Sequence, residues 1–535
     1  MKHLPRRRGV LKKGTHIPTI LLVTVIMILL GIWGYISVSF YYSVNEYNRE
    51  ISGKEFPFEK PGELLVTQIA IPFPPKYPIV SRSQKLNQNI LAMCERTLWH
   101  TLKTTTIVLP EAETFIYTGD IDDLWVRDSA AQVHPLLVPF GYKTKSLVQS
   151  DPRLARVVSG LIKRIAMYIR HDPYANAFRI DNTYIFSVDQ KKMGRHDLIS
   201  TWNYELDSAC YYFRMIYYFF RALPHHPVLR MESVKEAVDI MIDLWISEQD
   251  HESDAYPDGP LLDCENCGRP YRYPGLARNG KGTQVAKVGM TWSGFRPSDD
   301  ECKYGYLIPA NMFAVVALKY VEELAPKLWN DKRMASKARK LRLEIDEGIQ
   351  KYSIINHPKH GRIYAYEVDG LGNHSLMDDA NVPSLMSIPY IGYDYIPEVY
   401  ENTRRFILST DNPTYRQGYS METGEIEGYG SPHMNAAIKD NIWPMSLAVQ
   451  ALSSENIEEK LILVEKLTKA TGGTGWMHES FDVSNPKKYT RKWFCWADSL
   501  YAELVMSLTE ACPRGKYSVM KWLDPIDVPG DQYAA

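Results

Sequence analysis

Length, composition and charge set the first limits on this chain. It has 535 residues, 62 basic and 63 acidic side chains, a formal net charge of −1 and seven cysteines. This balance of charge gives no indication of nucleic-acid binding, which depends on a surplus of Lys and Arg.

The N-terminal segment predicts a membrane anchor. Uncharged residues rich in Ile, Leu and Val run from 17 to 43, after six basic residues: Lys2, Arg6, Arg7, Arg8, Lys12 and Lys13. About 20 apolar residues span a bilayer, and the basic flank stays cytoplasmic. We predict a cytoplasmic tail (1–16) and a transmembrane signal anchor (17–43) of a single-pass type II protein of the Golgi or cell surface. The alternative is a cleaved signal peptide, whose apolar core is shorter, about 7–15 residues.

The remainder, on the lumenal or extracellular side, divides into three predicted parts. Residues 44–81 are rich in charge, Pro and Gly, which indicates a stem. Residues 82–512 contain no low-complexity break, and their length suits one toroid or barrel. We assign a single folded domain to 82–512 and a C-terminal tail to 513–535.

The cysteine pattern does not favour a metal site. Cys264 and Cys267 have the spacing of half a zinc site, yet no second Cys pair or close His pair accompanies them, and structural zinc needs four ligands. A local disulfide or two thiols is the better interpretation, and we predict no cofactor. The sequon at Asn373 is compatible with a lumenal domain.

Apolar residues recur at helical spacing in nine segments of the predicted domain. These are residues 84–102, 154–170, 206–223, 234–246, 306–324, 332–352, 443–452, 457–470 and 493–508. Several form pairs in which an apolar helix is followed by an amphipathic, charged one. The apolar member of such a pair belongs inside and the charged member outside.

Six polar and aromatic clusters each precede a segment that we place inside. They are residues 120–128, 201–205, 289–300, 377–381, 429–435 and 476–481. Six helix hairpins with their polar turns at one end predict an all-α fold, an (α/α)6 toroid with a pocket at its mouth.

The cluster at 289–300 has two interpretations. A helix that begins near Tyr304 would make Asp299 or Asp300 an N-cap. A cap needs one short polar side chain, however, and here Trp292 and Arg296 lie just upstream. Aromatic, Arg and carboxylate groups together suit a sugar ring and its hydroxyls.

Carboxylates and aromatic rings at one mouth, without a metal-ligand pattern, indicate hydrolysis of a glycosidic bond. One carboxylic acid protonates the leaving oxygen, and a second carboxylate activates water. Asp299 beside Asp300 offers an acid whose proton is favoured by a neighbouring carboxylate. Glu479 is the candidate base, although a lone Glu in a loop is also typical of a solvated surface.

Five motifs resemble glycoside hydrolase family 125 over residues 86–508. They are residues 119–129, 291–300, 377–384, 430–433 and 477–481. The resemblance implies an exo-acting, inverting, metal-independent α-1,6-mannosidase on an (α/α)6 barrel, with an Asp acid and a Glu base. By motif the acid is Asp299 or Asp300 and the base is Glu479. The implied partner is an α-mannoside, from N-glycans, O-mannosyl chains or mannan.

The same motifs imply further pocket residues. They are Asp120, Asp123, Trp125, Arg127, Asp128, Trp292, Arg296, Asp378, Asp379, Asn381, His433 and His478. Trp125 and Trp292 are equally consistent with packing in the core.

Two other functions fit parts of the sequence. Asp120-Ile121-Asp122 resembles the metal-binding Asp-x-Asp motif of Golgi glycosyltransferases, which would require alternating strands and helices around a nucleotide site. A mannan-binding protein without turnover is the second alternative, although it does not need both aspartates and Glu479.

Overall fold

The computed structural model describes residues 84–139, 145–253, 271–433 and 438–509. The chain divides into two compact units, 1–69 and 70–535, and every described residue lies in the second. Among these residues, no helix combines the length and apolar character needed to cross a membrane. The predicted anchor and stem, Cys264, Cys267 and the C-terminal tail lie outside the described residues.

Twelve helices of the described residues form the architecture. In chain order they are α1 (Gln84–Leu98), α2 (Val126–Leu137), α3 (Pro152–His171), α4 (Leu206–Ala222), α5 (Glu232–Ser247), α6 (Ile308–Leu328), α7 (Lys332–Tyr352), α8 (Ile388–Ile391), α9 (Pro397–Ile407), α10 (Pro444–Leu452), α11 (Ile457–Lys469) and α12 (Cys495–Thr509). Shorter helical turns lie at His100–Thr104, Pro110–Ala112, Leu147–Ser150, Val188–Lys192, Pro227–Arg230, Glu248–Asp250 and Ala277–Gly280.

The even-numbered helices form an inner ring and the odd-numbered helices an outer one. Within the inner ring α4 packs between α2 and α6, and α12 packs between α10 and α2. Outside it, α5 packs on α3 and α7, and α11 packs on α1. The predicted (α/α)6 architecture is confirmed.

Burial explains which helix lies inside. The first eleven residues of α6, 308–318, are all buried, so this half of the helix is covered on every side. The buried side chains of α7 instead form one stripe at intervals of three and four residues, with Met334, Leu341 and Ile345 among them. An apolar stripe on a charged helix suits the outer ring, because only one face then needs to pack.

Short strands, which the all-α prediction did not include, support the loops. They are β1 (Thr106–Leu109), β2 (Glu113–Ile116), β3 (Leu124–Trp125), β4 (Ala177–Phe178), β5 (Ile199–Thr201), β6 (Tyr306–Leu307), β7 (Ile354–His357), β8 (Gly361–Tyr364), β9 (Glu367–Val368), β10 (His374–Ser375), β11 (Tyr415–Ser420), β12 (Gly424–Tyr429), β13 (Asn441–Ile442), β14 (Ser480–Asp482) and β15 (Asn485–Thr490).

The strands pair in six small antiparallel sheets: β1–β2, β3–β4–β5, β6–β9–β10, β7–β8, β11–β12 and β13–β14–β15. Three of these strands run almost directly into inner helices, β3 into α2, β6 into α6 and β13 into α10. They therefore hold the loops at one end of the inner ring.

Three details of the helices differ from the sequence prediction. Helix α2 begins at Val126 rather than Ser129, so Arg127 and Asp128 lie in its first turn. The fourth inner helix, α8, is a single turn that ends at Gly392, whose φ of 84° suits glycine at a helix terminus. Helix α9 was not predicted.

Candidate active site

A pocket opens among the loops before the inner helices. Seven of the residues selected from the sequence line it: Trp125, Arg127, Asp128, Asp299, Asn381, His433 and Glu479. The rest of the lining was not selected: Thr118, Ile121, Pro297, Ser298, Trp443, Arg491, Phe494 and Trp496.

Asp299 is held in the pocket by its backbone and by three side chains. It ends a turn in which its N–H donates to the carbonyl of Arg296, and its φ is 64°, a left-handed value that Asp tolerates better than most residues. Its Oδ1 accepts from Nε1 of Trp125 at 3.2 Å and from Nδ2 of Asn176 at 2.9 Å. Its Oδ2 lies 3.7 Å from Nη2 of Arg127.

The Asp pair does not cap a helix. Helix α6 begins at Ile308, after β6, and the residue before it makes no side-chain cap hydrogen bond. The N-cap interpretation of Asp299 and Asp300 is therefore wrong, because the strand separates both carboxylates from the helix.

Arg127 joins the pocket to a buried group of carboxylates. Its Nε donates to Asp128 at 3.0 Å and its Nη1 to Glu205 at 2.7 Å, and its side chain is 4% exposed. Although burial opposes it, the charges of Glu205, Asp128 and Asp299 raise the pKa of Arg127. Burial raises the pKa of Asp128 to about 6, against the opposing effect of Arg127.

Three carboxylate oxygens around Arg127 lack donors. Oε1 of Glu205 and both carboxylate oxygens of Asp207 are buried and accept no hydrogen bond from the described residues. Burial raises the pKa of Asp207 to about 7, and it raises that of Glu205 as well. The negative charges of Asp299 and Asp207 add to the rise in the pKa of Glu205.

Glu479 enters the pocket at the start of a hairpin. Ser480 of β14 pairs with Thr490 of β15, so the register brings Glu479 opposite Arg491. Nη1 of Arg491 lies 3.7 Å from Oε1 of Glu479, and its Nε donates to Oδ1 of Asp120 at 2.7 Å. Asp120 therefore reaches the site only through Arg491.

Asp300 pairs with a different residue of the pocket. Its Oδ1 lies 2.9 Å from Nδ1 of His433, which lines the pocket and whose side chain is 48% exposed. This hydrogen bond raises the pKa of His433 to about 9, against the opposing effect of burial. The two neighbouring aspartates thus have different partners.

Two other selected residues are buried beside other partners. Asp123 accepts from Ser200 and lies 3.5 Å from Nη1 of Arg179. The Trp292 ring stacks on His251 at a centroid distance of 3.6 Å, in the core. Neither residue lines the pocket.

The remaining selected residues support loops. Arg296 donates from Nε to Oε1 of Glu367 at 2.6 Å. Asp378 accepts from the backbone N–H groups of Leu385 and Met386 at 2.8 and 3.0 Å. None of these residues is in the pocket lining.

Asp379 and His478 likewise hold loops together. Asp379 accepts from the side chains of Asn381 and Ser431, both at 2.9 Å. Nδ1 of His478 lies 2.9 Å from the carbonyl oxygen of Arg491, so this ring fixes the backbone of a pocket residue.

Two groups of side chains have the composition of metal ligands within the described part of the chain. They are His100 with Cys495 and Asp498, and His171 with His196 and Asp197. In the first, His100 already pairs with Asp498 at 2.6 Å and stacks on Trp476. Neither group includes a residue of the pocket.

Three polar residues that contact Arg127, Asp299 or Glu479 were not selected from the sequence. Glu205 ends a cluster before α4, where a carboxylate also suits the helix dipole. Asn176 adjoins β4, a strand of two residues. Arg491 follows two lysines in a hairpin that has the composition of solvated surface. The polar clusters before the inner helices gave a signal only for Glu205.

The described sheets are all antiparallel, and Asp120 pairs with Arg491, so the nucleotide-sugar alternative has no support in the fold.

Residues 87–506 match the family model described as metal-independent α-mannosidase, GH125. The meiotically up-regulated gene 157 protein of Schizosaccharomyces pombe is 35% identical over 452 residues, 81% of this chain and 85% of that one.

A solved structure extends this similarity. It is a metal-independent α-mannosidase of Streptococcus pneumoniae in a non-productive complex with α-1,6-mannobiose. It is 37% identical, with a TM-score of 0.68, and the match covers 80% of this chain and 99% of that one. This chain therefore belongs to the GH125 family of metal-independent α-mannosidases and is a glycoside hydrolase.

Proposed function

We propose that this protein is an exo-acting, inverting α-mannosidase that removes terminal α-1,6-linked mannose, with Asp299 as the general acid and Glu479 as the general base. The observation that carries the assignment is that both carboxylates line one pocket. The α-1,6 linkage is supported by the mannobiose bound to the Streptococcus pneumoniae relative.

The order of the helices supports opposite positions for the two carboxylates. Asp299 lies in the loop before α6, the third inner helix, and Glu479 in the loop before α12, the sixth. Third and sixth positions face one another across a ring of six. Acid and base must flank the sugar in this way for water to attack the face opposite the leaving group.

Asp299 suits the acid better than Asp300. Asp299 lines the pocket and contacts a buried group of carboxylates, whereas Asp300 is paired with His433. In the proposed reaction Asp299 gives its proton to the glycosidic oxygen as the bond to C1 breaks. Glu479 takes a proton from the attacking water, and the released mannose is the β-anomer.

The test uses the full chain in detergent with α-1,6-, α-1,2- and α-1,3-mannobiose and EDTA, with the released anomer followed by proton NMR. We expect β-mannose from the α-1,6 isomer. Asp299→Asn and Glu479→Gln should each lower kcat by about 10²–10⁴-fold, the usual contribution of an acid or base. Glu425→Gln, at an exposed position of β12, is the matched control.

Three outcomes would contradict parts of the proposal. Initial release of α-mannose would exclude inversion. A larger loss in Asp300→Asn than in Asp299→Asn would exchange the acid. A folded protein that binds mannobioses without cleaving any of them would favour the mannan-binding alternative.

We propose in addition that residues 17–43 anchor the enzyme with its catalytic domain in a secretory lumen or outside the cell. The support is the basic flank and the uncharged run of the sequence. Protease protection of tags at both termini in sealed vesicles tests the topology. Digestion of a C-terminal tag from the cytoplasmic side would contradict it.

A further inference from the structure

The group around Arg127 contains more carboxylates than one cation can balance. Asp128, Glu205, Asp207 and Asp299 all act on Arg127. Its guanidinium donates to Asp128 and Glu205 and lies 3.7 Å from Asp299. A buried carboxylate without a balancing charge takes up a proton, because desolvation disfavours its charged form.

Glu205 is the member that is completely buried and is bound by the same guanidinium that approaches the proposed acid. Its side chain is 0% exposed, and its Oε2 accepts from Arg127 at 2.7 Å and from Ser208 at 3.0 Å. Its Oε1 accepts nothing from the described residues, and the guanidinium that binds its Oε2 also lies 3.7 Å from Oδ2 of Asp299. One proton between the two carboxyls would supply the missing donor.

We propose, on the basis of the function proposed above, that Glu205 is a positioning residue that shares a proton with Asp299 and keeps the acid loaded. Only Asp299 reaches the pocket, so it delivers the proton to the leaving oxygen. The pair then carries two negative charges. The pair of Glu205 and Asp299 regains a proton from solvent. Glu479 in turn releases to solvent the proton that it took from the attacking water.

This sharing sets the alkaline limit of activity. Loss of the last proton leaves two carboxylates in contact near other negative groups, so it occurs at higher pH than for an isolated carboxyl. The remaining titratable groups that interact with this cluster are Arg491, His433, Tyr211, Tyr273, Cys210 and Cys302. Glu479 acts on His433 and lies 3.7 Å from Arg491.

Glu205→Gln tests the proposal, because the amide keeps the shape and cannot share the proton. We expect the alkaline limb of kcat/KM for α-1,6-mannobiose to move down by about one pH unit or more. At pH 7 kcat should fall by about tenfold or more with KM little changed. The kcat for a dinitrophenyl α-mannoside, whose leaving group needs little protonation, should fall less. A purely structural role would lower kcat for both substrates alike and leave the alkaline limb at the wild-type pH.

Glu367→Gln is the matched control, since Glu367 is equally buried and paired with Arg296 but lies outside the pocket. The alkaline limb of kcat/KM in Glu367→Gln should stay at the wild-type pH. An unmoved limb in Glu205→Gln, with active wild type, overturns this inference alone. Wild type inactive on α-1,6-mannobiose at every pH overturns the proposed function. If Glu205→Gln does not fold, the pH profile of the wild type tests the proposal instead. An alkaline limb of kcat/KM at or below about pH 5, where ordinary carboxyls titrate, would overturn the shared proton.

Discussion

Two buried arginines, Arg127 and Arg296, have similar surroundings but differ in the number of carboxylates that they contact. Each hydrogen-bonds a glutamate that is 0% exposed, Glu205 or Glu367. Both oxygens of Glu367 are satisfied, one by Arg296 and one by the N–H of Tyr304 at 3.1 Å. One oxygen of Glu205 accepts nothing from the described residues.

The difference lies in the balance of charge. Arg296 hydrogen-bonds a single carboxylate and fixes the loop that carries Asp299. Arg127 contacts several carboxylates, one of which reaches the pocket. A balanced pair is sufficient for structure, whereas a surplus of buried carboxyls retains protons that chemistry can use. Variants of each pair separate these two roles.

The largest effect is expected for Arg127→Met. It leaves buried carboxylates without their cation and should lower the free energy of unfolding at pH 7 by about 3–5 kcal/mol. The buried carboxyls of the variant bind protons more tightly in the folded state than in the unfolded state. Its stability relative to wild type should therefore recover as pH falls from about 7 to 5. Urea unfolding at both pH values measures this. A loss that does not change with pH would mean that the cluster holds no extra carboxylate.

A smaller effect is expected for Glu367→Gln. The amide keeps one acceptor for Arg296 but removes the charge, which should lower the free energy of unfolding by about 1.5–3 kcal/mol, the usual contribution of a hydrogen bond to a charged group. Urea unfolding beside the exposed Glu425→Gln, which should stay within about 0.5 kcal/mol of wild type, tests it. Equal stability of the two variants would show that this buried pair contributes nothing.

The smallest effect is expected at the half-exposed pair of His433 and Asp300. Their hydrogen bond raises the pKa of His433 to about 9, so the paired form is complete below the unfolded histidine pKa and is lost as pH rises through 9. NMR titration of the ring should show this midpoint, and Asp300→Asn should return it toward about 6.5. An unchanged midpoint in Asp300→Asn would assign the shift to other carboxylates. Stability should change by less than about 1 kcal/mol, as for exposed pairs.

The sequence predicted the ring of hairpins because apolar and amphipathic helices alternate in it. It indicated Glu479 and the pair of Asp299 and Asp300, without distinguishing the two aspartates, because unusual polar residues precede inner helices. It did not distinguish pocket residues from loop supports: Asp378 and Asn381 lie in one motif, and only Asn381 lines the pocket. That distinction depends on which way each side chain points, and adjacent loop residues do not reveal it.

Contacts between distant residues were also beyond the sequence. Glu205 and Asp299 both lie at Arg127 because the loops before α4 and α6 converge there, and Arg491 faces Glu479 through the register of a hairpin. The register depends on a bulge between Phe481 and Asp482, which has no distinctive composition. The sequence likewise did not reveal that α8 ends after one turn, at Gly392.

Closure of the ring by its last helix has a consequence for synthesis on the ribosome. Helix α12 packs on α1 and α2, where Asp498 pairs with His100 and Ser499 donates to the carbonyl of Gln132 at 3.1 Å. Translation proceeds at about 5–20 residues per second, so roughly 20–70 s separate the completion of α2 from the arrival of α12. During that interval the faces of α1 and α2 that pack on α12 have no final partner, so the nascent chain exposes apolar surface of the kind that chaperones bind until the last helix emerges.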